Sequence, residues 1–330
     1  MHFNLFQSED IWKLCTERAD EQKIGENMLA GTDFLENGLK NCPAQFVILG
    51  IPEDVGPRAN CGKGGSDSAW QAFLSKFLNI QETILLKGSN IILLGSFDFS
   101  SLPNYKSRKP EKLRKVVEII DKAVSDLIET IVKAGKTPIV IGGGHNNFYG
   151  LLKGSSKALG KAVNCINLDP HADYRKLEGR HSGNGFSYAK AEGYLNKYSI
   201  VGLHENYNSQ EMIDRMENDL VDYSTYEAIF LREEIDFEDA IDISLTHVGA
   251  EPFGVELDCD AIENIPSSAQ TPSGVSTLQA RKYIHHSSRF INSIYLHLPE
   301  AAPSLQKGSN DQVGKLLCYL ASDFIRAKCQ

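Results

Sequence analysis

Seven short apolar runs, each bounded by turn residues, recur along the chain: AQFVILGI (44–51), IILLGSF (91–97), PIVIGGG (138–144), VNCINLD (163–169), SIVGL (199–203), PFGVELD (252–258) and SIYLHL (293–298). Runs this short and this uniformly apolar predict strands buried on both faces. Between them lie segments with apolar residues at three- and four-residue steps. The clearest is KLRKVVEIIDKAVSDLIETIVKAG (112–135), with Gly135 as its stop; 68–80, 146–159, 209–220, 277–291 and 312–328 read the same way. Strands alternating with helices predict an α/β fold with a parallel sheet covered on both faces. No short repeat or low-complexity linker divides the chain. The expected organisation is one domain over 44–330, preceded by an N-terminal arm, 1–43, with some helix.

The bulk properties narrow the partners. A length of 330 residues supplies enough chain for a sizeable core. A net charge of −9 without a basic tract weighs against nucleic acid, because phosphate contacts need clustered Lys and Arg. No apolar run reaches the roughly 18–20 residues of a membrane span. The start, MHFNLFQSED, has no basic segment followed by an apolar one, so no secretory leader is expected. The seven cysteines are odd in number and form no CxxC, which predicts reduced thiols in the cytoplasm. Cys165 and Cys259 are expected to be small buried hydrophobes.

In open α/β sheets ligands bind beyond the carboxyl ends of the strands. Five of the predicted strands end in GGGHNN, LDPHAD, LHEN, ELDCD and LHLPE. Side chains alternate along extended chain, so Asp169, His171 and Asp173 share one side, as do Asp258 and Asp260. His145 follows three glycines, which let backbone pass close to a neighbour. Four carboxylates and two imidazoles would thus converge. Crowded carboxylates repel one another, and divalent metal removes that conflict. A mixed His and carboxylate set suits Mn²⁺, Zn²⁺ or Fe²⁺. Six ligands exceed what one open catalytic ion needs, so two ions sharing carboxylates fit better.

The motifs GGGH, DPHAD and ELDCD, in this order and spacing, resemble those of the ureohydrolase superfamily of arginases, agmatinases and formimidoylglutamases. The resemblance extends over most of the chain from about residue 44 onward. It implies a three-layer α/β/α sandwich around an eight-stranded, mostly parallel sheet, and two Mn²⁺ per chain. It makes His145 and Asp173 terminal ligands of one ion and His171 and Asp260 terminal ligands of the other, with Asp169 and Asp258 bridging. It also makes Asp173 the proton shuttle and Glu300 the acceptor of a cationic amidine or guanidinium. Members of this superfamily are often trimers or hexamers, so a homo-oligomer is expected.

The loop after DPHAD, YRKLEGRHSGNGF, bears on the substrate. Arginases usually carry an asparagine where Arg175 stands and a histidine where Phe186 stands. Ser182-Gly183-Asn184 matches the arginase-like loop that meets an α-carboxylate. Arg175, with Arg180 nearby, favours a dianionic substrate and disfavours a dication such as agmatine, because guanidinium binds carboxylate bidentately. The alternative for Arg175 is a salt bridge to Glu178 or another surface acid. Gly56, Asn60, Gly62, Lys63 and Gly65 follow the G-x-x-x-N-x-G-R/K-x-G pattern similar to that of formimidoylglutamases, and GLHENYNS (202–209) resembles their loop, with Asn206 and Asn208 available to substrate. Three residues depart from the superfamily pattern: Pro170, Glu256 and Glu263. The resemblance therefore implies hydrolysis of N-formimidoyl-L-glutamate in histidine breakdown. A guanidino hydrolase releasing urea, and a weakly catalytic regulator, remain as alternatives.

Overall fold

The computed structural model describes residues 1–34 and 38–330; residues 35–37 of the expected arm lie outside the described residues. Ten strands form one sheet: β1 (His2–Leu5), β2 (Leu29–Ala30), β3 (Phe46–Gly50), β4 (Ile91–Asp98), β5 (Thr137–Ile141), β6 (Val163–Leu168), β7 (Leu195–Leu203), β8 (Asp222–Thr225), β9 (Phe253–Leu257) and β10 (Ser293–Leu298). Their order is β1-β4-β3-β5-β10-β9-β6-β7-β8, with β2 beside β4. All neighbours from β4 to β8 run parallel, and only β1 is antiparallel, to β4. The parallel core therefore has the eight strands that the resemblance implies. The two extra strands come from residues 1–34, so part of the expected arm is woven into the sheet edge.

Two apolar cores lie on opposite faces. Phe46, Ile48, Ile139, Ile141, Ile166 and Leu168 point into one. Val47, Leu49, Val140, Val163 and Cys165 point into the other. Every residue of these strands but the partly buried Thr137 is then buried, which is why their sequences read as unbroken apolar runs. Residues of the helices 69–77, 237–248, 277–288 and 310–328 pack in the first core, and those of 110–133, 147–159 and 185–191 in the second. Pro110 opens the longest helix, where its missing N–H costs nothing. Leu113, Val116, Val117, Ile120, Val124, Ile128 and Ile131 form its buried stripe, and Gly135, at φ +73°, follows its end.

Some elements differ from expectation. β8 is half-buried along its whole length, so DYST shows no apolar run. The helix Phe237–Val248 and the start of β7 are additions to the predicted elements. The glycine-rich loop after β3 contains a short helix, Val55–Ala59.

The topology sets the site. The chain passes from β5 to β6 leaving a gap that β9 and β10 later fill. The carboxyl ends of β5, β10, β9 and β6 therefore lie side by side, carrying His145, Glu300, Asp258 and Asp169.

Candidate metal centre and substrate cavity

His145 sits at the end of the turn after β5. A Cβ on Gly143, whose φ is +79°, would lie 2.6 Å from the Ile51 carbonyl oxygen, and one on Gly144 would lie 2.3 Å from Pro57 Cδ. Only glycine lets these loops approach so closely. Glu53, fully buried, clamps them together. One of its oxygens accepts from Gly144 N–H (2.9 Å) and Asn147 Nδ2 (2.7 Å), the other from Val55 N–H (2.6 Å) and Gly56 N–H (3.3 Å). Sequence reading passed over Glu53; a carboxylate two residues after a strand within a Gly-Pro loop was its only signal.

The His145 Nδ1 lies 3.1 Å from Asp169 Oδ2, 3.0 Å from Asp173 Oδ2 and 2.9 Å from Asp258 Oδ2. Neighbouring donors on an octahedral ion at about 2.1 Å lie about 3 Å apart, so this set fits one hard divalent cation. The second set is looser. His171 Nδ1 lies 3.6 Å from Asp169 Oδ1 and 4.0 Å from Asp260 Oδ2. Asp169 stands between the two imidazoles, one oxygen toward each. Backbone and side-chain donors hold the carboxylates: His171 N–H to Asp169 Oδ1 (2.8 Å), Asn167 Nδ2 to Asp169 Oδ2 (3.0 Å), Asp260 N–H to Asp258 Oδ1 (2.7 Å) and Ala269 N–H to Asp260 Oδ1 (2.9 Å). Asp173 and Glu300 both adopt left-handed backbone, at φ +47° and +66°. That conformation is uncommon for residues other than glycine and is retained where surrounding structure enforces it.

The electrostatics show an unresolved crowd of charge. Burial, then neighbouring Asp260 and Asp169, push Asp258 far above the ordinary carboxylate range. Burial likewise raises Asp173 and Asp260. Burial opposes charge on His171, yet Asp169 and the other acids raise it to about 10. His145 also rises well above its ordinary value against burial, through Asp169, Asp173 and Asp258. Burial alone would raise Asp169, but the two imidazoles bring it down to about 2. A divalent cation bound among these groups would offset the crowded negative charge.

A cavity of about 150 Å³ opens onto this cluster, lined in part by Asn60, Arg175, Ser182, Tyr207, Ser268 and Glu300. Glu300 is buried; its Oε1 accepts from His145 N–H (2.7 Å), while Oε2 has no hydrogen-bond partner among the described residues. Burial, then Asp258 and Asp260, push its carboxyl far up. A larger cleft of about 620 Å³ between residues 16–23 and the C-terminal helix has no acidic or imidazole side chain in its lining.

The structure sorts the expected substrate residues. Arg175 and Ser182 reach the cavity. Glu178 is taken by Arg114 and His181, so the expected alternative for Arg175 does not occur, and Arg175 has no carboxylate partner among the described residues. Arg180 is buried against Asp121 (Nε to Oδ2, 2.8 Å) and also donates to Asn184 Oδ1 and Asn146 O. It braces the loop and is not available to a ligand. Asn184 is likewise turned inward, accepting from His181 N–H and donating to the Gly179 carbonyl. Asn206 is exposed and outside the cavity lining, whereas Asn208 lines the cavity and also fastens the DPHAD turn by accepting from Ala172 N–H and donating to Pro170 O. Lys63 is exposed and outside the lining too.

The departures also resolve. Pro170 brings no N–H into the turn, and its carbonyl accepts from His204 N–H and Asn208. Glu263 is exposed, away from the cavity. Glu256 is fully buried behind His145, its Oε2 3.3 Å from His145 Nε2 and 2.6 Å from His297 Nδ1. Burial would raise it, but His297 and His145 hold it below the ordinary range. Cys165 and Cys259 are fully buried, and burial pushes both thiols well up, so neither is a nucleophile.

Residues 44–325 match the arginase family. The chain belongs to the arginase family. Among curated relatives, the formimidoylglutamase of Macrococcus caseolyticus is 29% identical over 193 residues, 58% of this chain and 55% of that protein. The formimidoylglutamase of Chromobacterium violaceum is 32% identical over 209 residues, 61% and 62% of the two chains. The matched stretches thus span about half the length of the first of these relatives and under two thirds of the second. In fold, the Bacillus subtilis formimidoylglutamase superposes with a TM-score of 0.76 at 16% identity, over 94% of this chain and 93% of that one. A Trypanosoma cruzi formiminoglutamase solved with Mn²⁺ gives 0.73 at 18% identity, over 94% and 99%. The arginase-family fold accounts for the mostly parallel sheet. Among the described residues no helix is long and apolar enough to cross a membrane.

Proposed function

We propose that this chain is a hydrolase using two Mn²⁺ ions, which splits N-formimidoyl-L-glutamate into L-glutamate and formamide, a reaction of histidine breakdown. The observation that carries the substrate is one cavity with two opposite recognition groups. Glu300 Oε2, without a hydrogen-bond partner among the described residues, meets the acid cluster at its floor, and the Arg175 guanidinium, free of any carboxylate partner among them, stands at its wall.

His145, Asp169, Asp173 and Asp258 would hold one ion, and His171, Asp260 and the same Asp169 and Asp258 the other. Bound there, the ions lower the pKa of water and supply hydroxide near neutral pH. Glu300 Oε2 accepts a hydrogen bond from the formimidoyl N–H, and the cationic group answers the charge that burial otherwise denies Glu300. Arg175 pairs with a substrate carboxylate in two parallel hydrogen bonds. One water adds across C=N, the C–N bond to glutamate breaks, and the leaving nitrogen takes a proton that Asp173 carries. Asp173 is placed for the task because it lines the cavity and its Oδ2 stands at the cluster, 3.0 Å from His145 Nδ1. Agmatine, a dication, is repelled by Arg175.

Purified protein loaded with Mn²⁺ and offered formimidoyl-glutamate, arginine and agmatine separately tests this reading. Formamide and glutamate from the first, with arginine and agmatine at least a hundredfold poorer, is the expected result. Urea from arginine with formimidoyl-glutamate untouched would overturn it.

A further inference from the structure

Glu256 is a carboxylate on a strand whose neighbours, Val255 and Leu257, lie in the opposite apolar core. It points to the face where Phe148, Phe186 and Tyr295 pack, and none of its surface is exposed. His297, on the adjacent strand β10, is its register partner and equally buried. Burying such a carboxylate costs several kcal/mol unless it is paired and hydrogen-bonded. Apolar residues would fill this space as well, as they do at most other positions of the sheet. The pair therefore calls for a role beyond packing.

The geometry gives one. A single oxygen, Glu256 Oε2, faces His145 Nε2 at 3.3 Å and His297 Nδ1 at 2.6 Å. A carboxylate oxygen only accepts, so both facing nitrogens carry hydrogen. With its Nε2 protonated, a neutral His145 must present the lone pair of Nδ1, and Nδ1 is the atom 2.9–3.1 Å from Asp169, Asp173 and Asp258. The other tautomer would turn an N–H toward an incoming cation. We infer that Glu256 and His297 are positioning residues, a buried relay that fixes the His145 tautomer and ring angle so that Nδ1 is ready to hold metal. Glu256 makes the imidazole a stronger donor, as carboxylates behind ligating histidines do. His297 occupies the same oxygen and keeps Glu256 turned toward β10 and the His145 ring. This inference rests on the metal-dependent reading above.

The test is Mn²⁺ binding, titrated by electron paramagnetic resonance at fixed pH, on wild type, Glu256→Gln, His297→Leu and the double variant. Glu256→Gln keeps the shape and removes the charge. It is expected to weaken one of two ions by about 10- to 100-fold, as outer partners of metal histidines do, with the other changed less than threefold. His297→Leu is expected to weaken the same ion less, and the double variant to be no worse than Glu256→Gln, because both act through one oxygen. Equal weakening of both ions with a lowered thermal midpoint of the metal-free protein would mean a merely structural role and overturn the inference. So would unchanged affinity in Glu256→Gln, additive effects in the double variant, or loss of a whole ion in His297→Leu, which would make His297 a ligand. Wild type that binds no Mn²⁺ brings down the metal-dependent reading itself. Wild type with two ions and an unaltered Glu256→Gln brings down the relay alone.

Discussion

Replacing Arg175 by Ala separates substrate recognition from everything else in the site. Arg175 is exposed and pairs with no carboxylate among the described residues, so its loss removes no ion pair and buries no new charge. Stability should therefore stay within about 0.5 kcal/mol of wild type. Metal content should also hold, since Arg175 contacts none of the carboxylates or imidazoles. The cost falls on the substrate carboxylate. Charge-assisted hydrogen bonds contribute about 1.5–3 kcal/mol, a factor of about 10–150 in kcat/KM. Solvent screening at an exposed guanidinium places the expectation at the low end, about 10- to 30-fold. The loss should appear in KM more than in kcat, because carboxylate binding is the same in ground and transition states. Arg175→Lys should recover part of it as a point charge without the planar fork. The assay is steady-state release of formamide from formimidoyl-glutamate, beside a formimidoyl substrate lacking the side-chain carboxylate. Wild type should prefer the former and the variant should lose most of that preference. A KM and preference unchanged in Arg175→Ala would refute the assignment of Arg175 as the carboxylate clamp.

Three more outcomes follow from the geometry. Asp260→Ala should leave one Mn²⁺ per chain by elemental analysis and abolish most turnover; two ions with full activity would contradict the two-ion arrangement. Glu53→Gln sets an amide N–H₂ against two of four N–H donors, at about 1–3 kcal/mol for each one orphaned, so calorimetry should show a lower thermal midpoint and titration weaker Mn²⁺ binding through the displaced Gly144-His145 turn. His181 accepts Gly183 N–H at Nδ1 (3.1 Å), and burial, then Arg114, push it down to about 4. An unfolded histidine titrates near 6.5. Its folded value is lower, so its contribution is whole above that pH and is lost as pH falls from about 6.5 through 4. The thermal midpoint should decline across that window in wild type and less in His181→Asn, which keeps an acceptor but does not titrate; parallel slopes would argue against it.

Much of this could be read from the residues because two periodicities were visible. Buried parallel strands write themselves as unbroken apolar runs, and polar residues just past them point to the ligand-binding edge. β8 lacks those signatures, since half-buried chain carries no strong pattern, whereas the helix Phe237–Val248 does carry apolar residues at three- and four-residue steps. The six residues GGGH, DPHAD and DCD mark do meet at one place. Arg175, Arg180, Ser182 and Asn184 look equivalent in sequence, all within one loop. Only the buried Asp121 on a distant helix decides that Arg180 and Asn184 brace the loop while Arg175 and Ser182 face the cavity.

The sequence by itself determined the class of sheet, the ends of its strands and the chemical character of the cluster, because local period and residue type suffice for those. The tertiary structure decided who stands next to whom. β9 and β10 enter between β5 and β6, more than 80 residues later in the chain than β6, and bring Asp258, Glu256, His297 and Glu300 beside His145. No local pattern encodes that insertion. It follows from which strands can bury their apolar edges together, and it turns Glu256 from an unexplained acid in a strand into a partner of a candidate metal ligand.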